Sequence, residues 1–217
     1  MAGYSIRKYD NGDYHAVRKL FAQGMLDYLP GATSYILKRP QVYCTILASS
    51  ITLHLYCRSY ILSLFSIGAF VAAVRGLLTF AVRMFIRKVH NGDLLNIEES
   101  YVQRPNSCFW VAESGGRIVA MVGVQPDPNS NTDMILRRLS VAEDQQRRGI
   151  AKAMCMKVFD FARQRGYQRV TLDTSTIQVN AHKLYQRMGF KTTKIIPSRS
   201  RLGRIANMTV VYYSYDV

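Results

Sequence analysis

The stretch Gln145-Gln146-Arg147-Arg148-Gly149-Ile150-Ala151-Lys152 carries the most direct chemical signal in the chain. It is a short basic loop that follows an apolar run, Leu139-Ser140-Val141, and opens a helix. A helix start of this kind leaves several backbone N–H groups unpaired, with the positive end of the helix dipole behind them, and so favours phosphate. Gly149 lets the backbone approach a pyrophosphate with no Cβ in the way, and Ala151 keeps the first helical turn thin. Arg147, Arg148 and Lys152 add charge that suits a polyanion.

Other residues could handle protons or charge. Glu98, Glu99, Glu113 and Asp173 each stand on a helix or near a strand end, where a carboxylate acts as a base less often than as a solvated group or a cap. The residues alone leave the identity of a base open, a chain of waters included. Arg137 and Arg138 precede the loop and can meet a carboxylate. Cys44, Cys57, Cys108 and Cys155 are scattered and do not cluster with His15, His54, His90 or His182, so neither a structural metal site nor a disulfide framework is expected. Cys44, Cys57 and Cys155 read as buried apolar groups, His182 as a surface residue and Trp110 as core.

The elements that must position these groups follow from pattern. Tyr4 to Tyr9 alternates like a strand, and Asp10-Asn11-Gly12-Asp13 caps a helix from Asp13 to Tyr28 that Pro30-Gly31 ends. Leu94 to Val102 reads as a short helix stopped at Pro105. Ser107 to Glu113 and Arg117 to Val124 form a hairpin through Ser114-Gly115-Gly116, and Gln125 to Asp133 is a loop. Met134 to Val141 is the strand that delivers the basic loop. After the loop, Ile150, Met154, Val158, Phe161 and Ala162 recur at helical spacing up to Gly166, and Arg169 to Asp173 is the next strand. This βαβ unit makes its two strands parallel, and phosphate-bearing ligands sit at the carboxyl ends of such strands. A helix from Asn180 to Gly189 and strands over Phe190 to Ile195 and Asn207 to Tyr215 complete the sheet.

Between Val42 and Ile86 the composition changes to two charge-free runs, Gln41 to Cys57 and Ser59 to Val74, separated by Arg58. Each run is about 16 residues, roughly 24 Å as a helix, slightly short of a hydrocarbon core of roughly 30 Å. A domain of this length has too little surface to hide both runs, so a membrane anchor is expected. A tight or re-entrant hairpin with Arg58 at its tip fits the basic residues at both flanks, and a single span over Ser59 to Val82 is the alternative. Three segments result: 1–40, an N-terminal strand and helix; 41–88, the hydrophobic insert; and 89–217, the core that carries the basic loop. The 29 Lys and Arg against 14 Asp and Glu give a net charge of +15, which suits nucleic acid, anionic lipid or a polyanionic cofactor. The basic residues are spread along the chain and no nucleic-acid-binding signature appears, so no direct nucleic-acid partner is expected.

The spacing Gln146-x-x-Gly149-x-Ala151, followed by Asn180-x-x-x-x-Tyr185-x-x-x-Gly189-Phe190, resembles the cofactor half of the GNAT acetyltransferases. Ser107-Cys108-Phe109-Trp110-Val111-Ala112-Glu113, Arg148-Gly149-Ile150-Ala151-Lys152-Ala153 and Leu184-Tyr185-Gln186-x-Met188-Gly189-Phe190 are similar to the camello or N-acetyltransferase family 8 proteins over nearly the whole chain. Ala181-His182-Lys183-Leu184-Tyr185 also resembles the membrane-bound N-acetylaspartate synthase. The resemblance implies a mixed α+β fold, a twisted central mixed sheet flanked by helices, here carrying the inserted helical membrane segment. It implies an N-acetyltransferase that uses acetyl-CoA and no metal. The loop residues Gln146, Arg147, Arg148, Gly149, Ile150, Ala151 and Lys152 would hold the pyrophosphate, while the backbone of Leu139 and Val141 and the side chain of Asn180 would meet the pantetheine. By the same resemblance Tyr185 is the general acid for the departing thiolate, with Glu99 and Asp173 as candidates for the base. The acceptor would be a small amine, a cysteine S-conjugate or aspartate, or a protein lysine, including histone tails. Membrane lipid is an expected partner, and endoplasmic reticulum, perinuclear or Golgi membranes the expected location. A non-catalytic acyl-CoA-binding membrane scaffold is the competing reading.

Overall fold

A computed structural model describes residues 3–198, 203–204 and 207–217. The chain divides into two compact units, one of Met1–Met25 with Ile86–Val217 and one of Leu26–Phe85.

The first unit is built on a seven-stranded sheet in the order β1-β2-β3-β4-β5-β7-β6. In chain order the strands are β1 (Ser5–Lys8), β2 (Cys108–Ser114), β3 (Arg117–Pro126), β4 (Asp133–Val141), β5 (Arg169–Ser175), β6 (Lys191–Pro197) and β7 (Thr209–Asp216). Only β4 and β5 run parallel; every other neighbouring pair is antiparallel. The helices, numbered along the chain, are α1 (Tyr14–Leu26), α2 (Leu29–Leu37), α3 (Pro40–Cys57), α4 (Tyr60–His90), α5 (Ile150–Gln164) and α6 (Val179–Arg187). The mixed sheet flanked by helices is the architecture the resemblance implied.

Helix α5 forms because its apolar residues recur on one face. Ile150, Met154, Cys155, Val158, Phe159 and Ala162 are all buried against β3, β4 and β5, each large side chain contributing roughly 1.5–3 kcal/mol. Burial pushes the Cys155 thiol up to about 12, so it is inert. Trp110 is buried with them, edge-on to Phe161 at 5.3 Å. The start of α1 is fixed upstream of it: Asp10 accepts from the Gly12 N–H, and the Asp13 side chain accepts from the Asp10 N–H. The expected helix over Leu94 to Val102 is shorter than its pattern suggested, a π-helical turn at Glu98–Val102.

In the second unit Pro30 and Gly31 do not simply end a helix: they lie in the first turn of α2. A proline there loses only an N–H that had no partner in any case. α3 follows, and Arg58, left-handed at φ 49°, turns it into α4. The Ser50 hydroxyl donates to the Ser63 carbonyl across this turn at 3.3 Å. α4 does not stop near Val74 but runs for 31 residues, about 46 Å. Among the described residues it is the one helix long and apolar enough to cross a membrane. Leu55, Ile61, Leu64 and Phe65 point outward. Cys44 and Cys57 are likewise exposed, against the expectation of burial, because much of the apolar surface of both runs points outward.

Candidate functional site

The parallel pairing of β4 with β5 covers only Asp133↔Arg169, Met134↔Val170 and Ile135↔Thr171. Beyond Ile135 the two strands part, and β5 continues to Ser175 paired with β7 alone. The cause lies on the other edge of β4. Between Met121 and Gly123 of β3 stands one residue, Val122, while between their partners Ser140 and Arg137 stand two, Arg138 and Leu139. This is a β-bulge, with Arg138 left-handed at φ 61°, and a bulge bends its strand and sharpens the local twist. The Ala142 N–H donates to the Val119 carbonyl at 2.8 Å, toward β3. Amides alternate along a strand, so those of Val141 and Leu139 face the opening.

A left-handed arginine is strained by roughly 1–2 kcal/mol, and its side chain is held by the surroundings. Its guanidinium forks onto Asp93 at 2.7 and 2.8 Å and lies over the Phe21 ring at 5.5 Å. The Tyr101 phenol donates to the same carboxylate. Burial alone would raise the Asp93 carboxyl, but the Arg138 fork outweighs it and holds the group below its usual 3.8. Burial and the Asp93 charge together push the Tyr101 phenol well up. Tyr101 packs flat enough on the sheet that a Cβ at Gly123 would meet its ring at 2.6 Å; only glycine fits. Arg137 stands opposite Gly123 in register and therefore on the same face. Its buried Nε has no hydrogen-bond partner among the described residues.

At the top of the opening, Gly149 is left-handed at φ 80° and caps α5, with nothing within 4 Å of where a Cβ would point. The Ile150, Ala151 and Lys152 amides lie in the first turn of α5, before its i→i−4 ladder begins with Ala153 donating to Gly149 at 3.0 Å. Arg147, left-handed at φ 62°, and Lys152 are exposed. Arg148 donates to the Gln145 side chain, and the Gln146 amide reaches back to the Val141 carbonyl at 3.3 Å. A strand edge, three amides ahead of the helical ladder and the exposed cations Arg147 and Lys152 thus follow one another along the chain, a cradle for a long ligand with phosphates at one end.

Tyr185 is buried on α6, edge-on to Phe190 at 5.4 Å and 5.8 Å from the Tyr213 ring. Tyr213 pairs with Leu172 of β5, beyond the point where β4 departs, so Tyr185 lies over the β5 side of the opening. Asn180 is exposed in the first turn of α6. His182 is not a loose surface residue: it bridges the Tyr213 hydroxyl at 2.8 Å and the Ser175 carbonyl at 3.1 Å. A carbonyl only accepts, so Nε2 carries the proton, and α6 is pinned across β5 and β7. Nothing local announces this bridge, since its partners lie 7 and 31 positions away. The same holds for Asp93, 45 positions from Arg138.

The carboxylates separate. Glu98 accepts from Asn11, and Glu99, exposed, accepts from Asn96 at 3.0 Å. Glu113 pairs with Arg7 at 3.0 Å. Asp173, exposed, lies two residues past Thr171 and so on the sheet face of Arg137, across the opening. Among the described residues no group of His, Cys, Asp and Glu could hold a metal ion.

The family model for the GNAT acetyltransferases matches residues 77–190. A probable N-acetyltransferase camello of Xenopus tropicalis is 39% identical over 100% of this chain and 99% of its own. A probable N-acetyltransferase family 8 member 5 of Mus musculus is 35% identical over 100% and 96%. Among solved structures, a GNAT acetyltransferase of Staphylococcus aureus Mu50 superposes with a TM-score of 0.60 at 15% identity, over 98% of both chains. A Bacillus anthracis protein solved in complex with acetyl coenzyme A superposes at 0.51, with 17% identity over 55% of this chain and 67% of that one.

Proposed function

The chain belongs to the GNAT acetyltransferase family, with camello and N-acetyltransferase family 8 proteins among its relatives, and from that premise we propose that it is a membrane-anchored enzyme acetylating an amine with acetyl-CoA. The observation that carries the reading is the wedge between β4 and β5, roofed by the unpaired first turn of α5. Its donors suit coenzyme A: Leu139 and Val141 offer amides along the pantetheine, Gln146 to Lys152 offer amides and cations to the pyrophosphate, and Asn180 reaches from α6. The cosubstrate supplies an activated acyl group.

The protein holds donor and acceptor together and aims an amide at the carbonyl oxygen where negative charge develops. The amine lone pair forms a bond to the carbonyl carbon, the carbon–sulfur bond breaks, and the sulfur leaves with the electron pair. Tyr185 gives its proton to that sulfur. The excess proton on the new amide nitrogen passes to a base, for which Asp173, at the wedge, is better placed than Glu99, which faces its own turn. The acceptor is a cysteine S-conjugate or another small amino acid such as aspartate, or a lysine of a protein, histone tails included. The exposed apolar faces of α3 and α4 support a membrane anchor, and the membranes we propose are those of the endoplasmic reticulum, the perinuclear region or the Golgi.

Tyr185→Phe keeps the ring packing and removes the proton. Thiol release from acetyl-CoA is expected to fall by about 100- to 1,000-fold while coenzyme A binding persists. Thiol release at the wild-type rate from the variant would remove Tyr185 from the chemistry, and background rates from both proteins would favour a non-catalytic acyl-CoA-binding scaffold.

A further inference from the structure

We infer that Arg137 reads the acceptor and selects amines that carry a carboxylate beside the amino group. The inference rests on the acetyl-transfer reading and narrows its acceptor. Two arginines stand on this face of the sheet at the start of the wedge, and they are not equivalent. Arg138 is committed: both oxygens of Asp93 are taken by its fork, and Tyr101 donates to that carboxylate too. Arg137 has no ion pair among the described residues, and its Nε is buried without a partner. A buried donor without an acceptor is destabilising, and an anion meeting the guanidinium offsets that. The guanidinium fork matches a carboxylate in two parallel bonds.

The other lip of the wedge carries the opposite charge. Asp173 follows the same register two residues past the last β4–β5 pair and is exposed, with no ion pair to Arg137. A cation on β4 and an anion on β5 facing the same side complement an α-amino acid, whose carboxylate meets Arg137 while its amine lies toward Asp173. A lysine within a polypeptide has neutral amides where that carboxylate would be, and gains nothing from Arg137.

The test uses the full chain in membranes or detergent, acetyl-CoA, and two acceptors of nearly equal shape, S-benzylcysteine and its carboxamide. Wild type is expected to favour the acid by about 30-fold in kcat/KM, the scale of a hydrogen bond to a charged group. In Arg137→Gln the acid-to-amide ratio collapses toward one through KM of the acid, with KM for acetyl-CoA unmoved, and Arg137→Lys recovers part of the preference. Equal use of acid and amide by wild type, or an Arg137→Gln that slows both alike, overturns the assignment. Thermal stabilisation by S-benzylcysteine separates it from the acetyl-transfer reading. No transfer to any acceptor, with stabilisation seen in wild type and lost in Arg137→Gln, sinks the enzyme and keeps the carboxylate site. Equal stabilisation of wild type and Arg137→Gln sinks the carboxylate site.

Discussion

Arg138 shows how one residue can be costly and still be fixed. Its left-handed backbone opens β4, and its guanidinium is held by Asp93, Tyr101 and Phe21. Both charged side chains are under one-fifth exposed, so removing one partner leaves the other largely desolvated. Asp93→Asn is therefore expected to destabilise the protein by on the order of 3 kcal/mol, read as a shift in the chemical-denaturation midpoint. The sign with pH follows from the depressed Asp93 carboxyl. Its contribution is fully present above the ordinary value of 3.8 and is lost as pH falls through the lower folded value. Unfolding curves of wild type should steepen in stability loss below about pH 4, and those of Asp93→Asn should lack that part of the acid limb. An acid limb unchanged by the substitution would remove Asp93 from the balance.

At the scale of elements, the loop before α5 was plain in the sequence because phosphate binding there needs only local features: a strand end, a glycine and a helix start. The open space around Gly149 separates function from folding. Gly149→Ala meets no neighbour, so its strain of about 1–2 kcal/mol at positive φ is the whole stability penalty expected. KM for acetyl-CoA should rise about tenfold, because the new methyl would stand where the proposed site brings the pyrophosphate to the backbone; an unchanged KM with the same melting shift would place the pyrophosphate elsewhere. The bulge in β4 was not legible. Arg137-Arg138-Leu139 reads as ordinary strand, and the extra residue exists only relative to Val122 on the neighbouring strand.

For the whole molecule, the net charge of +15 and the outward apolar faces of α3 and α4 act together. Basic residues flanking an apolar segment favour an anionic lipid surface, and α4 is long and apolar enough to span a bilayer. Carbonate washing is expected to leave the protein in the membrane pellet; quantitative release into the supernatant would replace the integral anchor by a surface association.

The sequence by itself determined the βαβ unit, the basic loop, the glycine caps and the apolar insert, since each is a pattern among residues close along the chain. The tertiary structure decided which arginine has a partner, which carboxylates face the wedge, and that His182 pins α6 to β5 and β7. Arg137 and Arg138 are identical neighbours until folding brings Asp93 to one of them across 45 residues. Pairings of that kind depend on strand register and on the bulge, which no local spacing encodes.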